Sequence, residues 1–231
     1  MTEKIIGIMG GQGPEATLDL FRRIIEKTAA KTDQEHFHIL IVCNPKVPNP
    51  NDAVITGETD PTPMLCANAV NLQKAGADFI VIPCNTVHIF LDAIRASIDI
   101  PVMSIVTATV NAVKALPNVS KVGLLASPAV VKTGLYAKAL LEQGIDTLTP
   151  DEKGEADIHD VIFGVKAGNK SQSQREKLFN VCNQLVANGA QALILGCTEL
   201  PLLANPSDFA VPAVDTLEVL VQTAIETARS D

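Results

Sequence analysis

Two pseudo-symmetric doubly wound α/β domains with parallel sheets are the fold this sequence predicts, and three observations lead there. Short β-branched runs alternate with helical stretches, the order that builds a parallel sheet covered by helices. The best strand candidates are apolar at successive positions, as strands buried on both faces require. A block of sequence also occurs twice. Ala75-Gly-Ala-Asp-Phe-Ile-Val-Ile-Pro-Cys84-Asn lines up with Asn188-Gly-Ala-Gln-Ala-Leu-Ile-Leu-Gly-Cys197-Thr at one constant offset, and Ile6-Gly7-Ile-Met-Gly-Gly resembles Val122-Gly123-Leu-Leu-Ala-Ser at nearly the same one.

The elements follow in chain order. Ile5–Met9 is an apolar first strand, and Pro14 occupies the first position of a helix over Pro14–Ala30. The apolar run His38–Cys43 is the second strand, followed by a helix over Pro63–Ala75, the strand Phe79–Ile82, a helix over Thr86–Ser97 and the strand Val102–Ser104. Helix Val106–Ala115 opens the second unit, which continues as strand Lys121–Leu125, helix Val130–Glu142, strand Ile145–Leu148, helices Ile158–Ala167 and Ser173–Asn188, and strand Ala192–Leu195. Helix Asp215–Thr227 is expected to return to the first unit. The domain boundaries this implies are 1–105 plus 209–231 for the unit carrying Cys84, and 106–208 for the unit carrying Cys197. Asp151-Glu152, with Glu155 and Asp157 nearby, reads as a solvated acidic loop.

Composition narrows the function classes. With 47% hydrophobic and 19% charged residues in 231, the chain can bury a full core, and disorder is excluded. A net charge of -8 opposes a phosphate backbone and no Lys/Arg cluster rises above it, so no nucleic-acid partner is expected. The opening Met1-Thr-Glu-Lys-Ile-Ile-Gly-Ile lacks a signal-peptide core, and no apolar run reaches the ~20 residues that span a bilayer. A cytoplasmic protein without a membrane partner is expected.

Five cysteines, Cys43, Cys66, Cys84, Cys182 and Cys197, form no C-x-x-C pair. In a reducing compartment each is core filler or a reactive thiol. Cys43, Cys66 and Cys182 sit inside strand or helix patterns and read as core. Cys84 and Cys197 instead end matched strands, each before a helix start, where ligands gather in open parallel sheets and a thiolate is stabilised. Two such units facing each other would bring the thiols to opposite walls of one cleft. The plainer alternative is that both are small buried hydrophobes. Inverting a carbon centre without a cofactor needs one group to remove a proton from one face and another to deliver a proton to the other. Backbone N–H groups after Gly10, Cys84 and Cys197 are candidates to hold the substrate carboxylate.

Val81-Ile-Pro-Cys-Asn-Thr-Val-His88, Leu195-Gly-Cys-Thr-Glu-Leu-Pro201 and Gly7-Ile-Met-Gly-Gly-Gln-Gly-Pro-Glu-Ala-Thr17 together resemble the aspartate/glutamate racemase superfamily, nearest its aspartate racemase branch. The similarity spans essentially the whole chain. It implies racemisation by Cys84 and Cys197 without pyridoxal phosphate or another cofactor, a small-molecule amino-acid substrate, and a homodimer. It further implies that Asn85, Thr86 and Thr198 hold the α-carboxylate or ammonium group and that Lys166 pairs with a side-chain carboxylate. The chain departs from that pattern at Val47-Pro-Asn-Pro-Asn-Asp52, where Pro50 or Asn51 stands in place of an arginine that would clamp a distal carboxylate. Asn51 or Lys46 is the candidate substitute. A second departure is Gln12, where methionine is more usual.

Competing signals resolve less favourably. Gly11-Gln-Gly13-Pro-Glu-Ala16 satisfies G-x-G-x-x-G/A after a strand, but Cys43-Asn44-Pro45 stands where the ribose-binding acid of a dinucleotide site belongs. Gly10 and Gly11 are instead expected to let backbone approach a substrate carboxylate. Cys84 and His88 are spaced to share a helix face, yet no second pair completes a zinc site, so no metal is expected. Ser127, opposite Gly11 in the repeat, bonds substrate or caps a helix. The reading is an aspartate racemase, with a racemase of glutamate or a broader amino-acid set, and a non-enzymatic binder of small carboxylates, as alternatives.

Overall fold

A computed structural model describes residues 3–230. The chain divides into two compact units, Met1–Ile105 with Leu217–Asp231, and Val106–Thr216.

In the first unit, strands β1 (Ile6–Gly10), β2 (Ile39–Cys43) and β3 (Phe79–Val81) form a parallel sheet in the order β2-β1-β3. Helix α1 (Pro14–Lys27) follows β1, α2 (Pro50–Ile55) and α3 (Thr62–Ala75) lie between β2 and β3, and α4 (Leu91–Ala96) follows β3. Met9, Leu65, Ala69, Leu72, Ile80, Ile82 and Val87 pack into one core beneath β3. Each fully buried aliphatic side chain there contributes about 1.5–3 kcal/mol of transfer free energy.

Helix α5 (Ile105–Lys114) starts on the last residue of the first segment and continues into the second unit, which is built on β4 (Lys121–Ala126), β5 (Asp146–Leu148), β6 (Ala192–Gly196) and β7 (Ala213–Asp215). The sheet is parallel throughout, in the order β5-β4-β6-β7. Helices α6 (Pro128–Thr133) and α7 (Leu135–Leu141) connect β4 to β5, while α8 (Glu152–Lys166) and α9 (Gln172–Ala187) connect β5 to β6. Ile158, Val161, Ile162, Val165, Leu178, Val181 and Leu185 from that helix pair close over Leu193 and Leu195. Helix α10 (Thr216–Arg229) returns to the first unit.

Several expectations need correction. Residues 209–216 belong to the second unit, because Ala213–Asp215 adds a strand beside β6. Val102–Ser104 is not a strand: Val102 makes only an isolated bridge to Ile80. The helix expected over Val130–Glu142 is two helices, broken at Gly134, whose φ of +67° ends α6 in the left-handed region that favours glycine. The acidic segment is the start of α8, with the Asp151 carboxylate accepting from the Gly154 N–H at the N-cap and Glu152 and Glu155 in the positive first turn. No α-helix starts directly after either repeated cysteine. Short 3-10 turns, Thr86–Phe90 and Leu200–Leu202, follow instead, so neither sulfur sits at the end of an α-helix dipole. Cys43 is exposed, on the edge strand β2, and Cys66 is half-buried, its thiol donating to the Ala93 carbonyl of α4 at 3.5 Å. Cys182 is buried core, as expected.

Candidate active site

In a doubly wound sheet the ligand crevice lies outside the carboxyl ends of the two strands where the strand order reverses. In the first unit that point is between β1 and β3. Gly10 ends β1, and Cys84-Asn85-Thr86 follows β3. The equivalent point in the second unit lies between β4 and β6, whose ends carry Ser127 and Cys197-Thr198-Glu199. Each cysteine therefore occupies the switch point of its own sheet.

Around Cys84 the backbone is held by a histidine that the sequence reading left without a role. The Ile105 N–H donates to His88 Nε2 at 3.1 Å, which places the ring proton on Nδ1, 2.9 Å from the Cys84 carbonyl oxygen. His88 is buried, and burial pushes its pKa down to about 4, against the opposing pull of the Cys84 carbonyl bond. It is a neutral strut joining the Cys84 turn to the residue that opens α5. Asn85 and Thr86 are buried beside it.

The loop after β1 is shaped by contacts within the unit. The Gly11 N–H donates to Thr17 Oγ1 at 3.0 Å, so this donor is already engaged within the protein. A Cβ on Gly10 would run into the Thr17 side chain. One on Gly11, at a φ of +108°, would meet the Asn44 backbone. The two glycines are thus required by this packing. Gln12 Nε2 donates to the Asn44 carbonyl at 3.0 Å, and Asn44 Nδ2 in turn donates to Asn68 Oδ1 at 3.2 Å. Gln12 therefore ties the β1 loop to the segment entering α2. There the Asn49 side chain caps the helix by accepting the Asn51 N–H. Asn51 is buried and Lys46 is exposed.

In the second unit Cys197 is 7% exposed, close to the 9% of Cys84. Burial alone is what an inert thiol would also show, and Cys182 supplies the comparison. Its thiol, buried in the α8–α9 core, is pushed up to about 12 by desolvation. Cys197 differs in its company. Its Sγ donates to Glu199 Oε2 at 3.0 Å, and Glu199, only 3% exposed, has its other oxygen 3.9 Å from Lys166 Nζ. Lys166 also lies over the Phe163 ring, 5.4 Å from its centroid. Thr198 Oγ1 points at the same carboxylate oxygen at 3.4 Å. Tyr136 on α7 is fully buried; burial holds its phenol well above the ordinary range, and negative charge on Cys197 pushes it the same way. The Thr216 hydroxyl donates to the Leu195 carbonyl at 2.9 Å, fixing β6 two residues before Cys197. Ser127 is buried at the N-cap position of α6, but its side chain does not cap that helix.

Two groups, Glu199 and His88, were not assigned from the sequence. Glu199 carried a signal, since it follows Cys197 by two residues within a turn that folds the side chain back. Among the described residues no three His, Cys, Asp or Glu side chains are grouped to hold a metal ion, and no helix is long and apolar enough to cross a membrane.

Comparisons with known proteins agree with this fold. The chain is 25% identical over 228 residues to the broad specificity amino-acid racemase of Bacillus subtilis (strain 168), covering 96% of this chain and 97% of that protein. The aspartate racemase of Picrophilus torridus superposes with a TM-score of 0.87 at 28% identity, covering 97% of this chain and 94% of the other. An aspartate racemase homologue from Pyrococcus horikoshii superposes with a TM-score of 0.79 at 26% identity over the whole of both chains. The Asp/Glu/Hydantoin racemase family model matches residues 6–224, and the chain belongs to that family.

Proposed function

We propose that this protein is a cofactor-independent amino-acid racemase that interconverts L- and D-aspartate, with Cys84 and Cys197 as the two acid–base groups at one Cα. The observation that carries this reading is the placement of the two repeated cysteines at the switch points of their two sheets, each in a turn fixed by buried polar partners.

The chemistry follows from the residues. A thiolate takes the Cα proton, and its electron pair is left on a carbanion conjugated with the substrate carboxylate. The other thiol then gives its proton to the opposite face. Asn85, Thr86 and Thr198 hold the amino-acid head group. Lys166 supplies a cation toward a side-chain carboxylate, shared with Glu199.

A second reading, a racemase of glutamate or of a broader amino-acid set, is favoured by one observation. No arginine occurs between Arg23 and Arg95, so the clamp for a distal carboxylate rests on Lys166, whose charge is already balanced by Glu199. With no arginine matched to the aspartate carboxylate, selection against glutamate or a neutral side chain is weaker.

The test is incubation of the purified protein with reductant, but no cofactor, in D2O. Each enantiomer of aspartate, glutamate, alanine and several other neutral amino acids is supplied, and chirality and Cα deuterium are followed together. Inversion with deuterium incorporation on aspartate is expected. Inversion of glutamate or of neutral amino acids in preference to aspartate would select the second reading, and no exchange on any substrate would reject both.

A further inference from the structure

The chain passes between its two units twice, from Ile105 to Val106 and from Thr216 to Leu217. Each crossing falls at the start of a helix, for Ile105 is the first residue of α5 and Thr216 the first of α10. The first N–H groups of a helix have no partner within it and must find one elsewhere. At both crossings a buried hydrogen bond runs back to the cysteine segment of the same unit.

In the first unit the Ile105 N–H donates to His88 Nε2 at 3.1 Å, and His88 Nδ1 lies 2.9 Å from the Cys84 carbonyl oxygen. An imidazole has no rotatable bond between its two nitrogens, so the ring carries a displacement at one end to the other. In the second unit the Thr216 hydroxyl donates to the Leu195 carbonyl at 2.9 Å, and β6 runs from there through Gly196 to Cys197. His88, Ile105 and Thr216 are all buried. The two links use different chemistry. His88 lies four residues after Cys84, and four residues after Cys197 stands Pro201, whose side chain has no polar group to offer. Two unlike bonds that make the same connection in two copies of one unit point to the connection itself as what the fold requires. Cys84 and Thr216 make other contacts as well; what sets these two bonds apart is that each ends on a crossing.

We infer that His88 and Thr216 are positioning residues for the reaction: each locks its unit's cysteine segment to the point where the chain leaves that unit. His88 acts through the Cys84 carbonyl and Thr216 through the Leu195 carbonyl, so neither touches the reacting carbon. Their importance for turnover rests on the two-thiol reading above, but the links themselves do not.

The experiment follows iodoacetamide labelling of each cysteine in the native protein near pH 8, resolved by peptide mass spectrometry, beside kcat and KM on the best amino-acid substrate. His88→Asn keeps an amide nitrogen at the Nδ1 position, toward Cys84, but does not reach Ile105. If His88 only closed its own turn, this variant would behave like the unaltered chain. Instead Cys84 is expected to label about tenfold faster while Cys66 and Cys182 keep their rates. Kcat is expected to fall about tenfold or more, with KM changed less than about twofold. Thr216→Val should speed Cys197 about tenfold and leave Cys182 protected, whereas Thr216→Ser, which restores the hydroxyl, should bring labelling and kcat back to within about threefold of the unaltered chain. Unchanged Cys84 and Cys197 labelling in the folded His88→Asn and Thr216→Val proteins would overturn the inference, as would an equal acceleration at Cys66 and Cys182, the mark of general loosening. Nitrogen NMR of the His88 ring in the unaltered chain decides the first link even where a variant fails to fold. A proton on Nδ1 and a bare Nε2 are expected, and a proton on Nε2, which could not then accept from Ile105, would overturn it. Neither labelling nor NMR requires turnover, so shifts in labelling without racemisation would reject the racemase reading and leave the links standing.

Discussion

Acidification should destabilise the Cys84 turn through a single buried imidazole. His88 is neutral in the folded chain because burial pushes its pKa from the ordinary 6.5 down to about 4. Between those values the unfolded chain binds a proton that the folded chain does not, so stability must fall as pH falls. The contribution is fully present above pH 6.5 and is lost progressively through that window, the total loss reaching about 3 kcal/mol below pH 4. At about pH 4.5 the loss is about 2.5 kcal/mol. Carboxylates titrate in the same range, so a control must remove His88 alone. His88→Asn keeps an amide donor toward the Cys84 carbonyl and does not titrate. Urea unfolding of both proteins near pH 7.5 and pH 4.5 gives the double difference. The unaltered chain is expected to lose about 2.5 kcal/mol more than His88→Asn on acidification. Parallel losses in the two proteins would refute the assignment of a buried neutral imidazole.

Other outcomes follow from the same geometry. Gly11→Ala places a side chain at a φ of +108° against the Asn44 backbone and should cost about 2 kcal/mol or more, read as a lower urea midpoint; an unchanged midpoint would show that the loop yields easily. Native-state alkylation near pH 8 should label exposed Cys43 readily and leave Cys182 unmodified until unfolding, since burial raises the Cys182 pKa to about 12; fast labelling of Cys182 would contradict its place in the core. Lys166→Ala should lower kcat/KM for aspartate about tenfold more than for alanine, a differential of about 1.4 kcal/mol, and equal losses would remove Lys166 from side-chain recognition.

The strand ends and the two cysteines were legible because buried parallel strands are apolar at successive positions and because the repeat marks equivalent places. The turns beyond them were less so. Helix α2 is short, set by Pro50 at its start and the Asn49 cap, and a six-residue helix has too few turns to show a period. The helix break at Gly134 depends on one residue adopting φ +67°, which a glycine permits but does not announce. Asp151 and the acids after it read as a loop because charge runs usually are solvated, yet the same carboxylates favour a helix start when one caps it. His88 and Glu199 lie on two of the three motifs that carry the family likeness. Their partners, the Ile105 N–H and Lys166, are distant in sequence, so only the fold brings these groups together. Pro50 or Asn51 stands where an arginine was expected, and both are buried at the start of α2.

The central claim, one acid–base thiol from each unit, is tested most directly by Cys84→Ser and Cys197→Ser assayed with both enantiomers of the best substrate in D2O. Each variant, folded by circular dichroism, is expected to lose racemisation by about three orders of magnitude or more, because a serine hydroxyl is too weak an acid to ionise in a thiol's place. Near-normal inversion by either variant would contradict the two-thiol account.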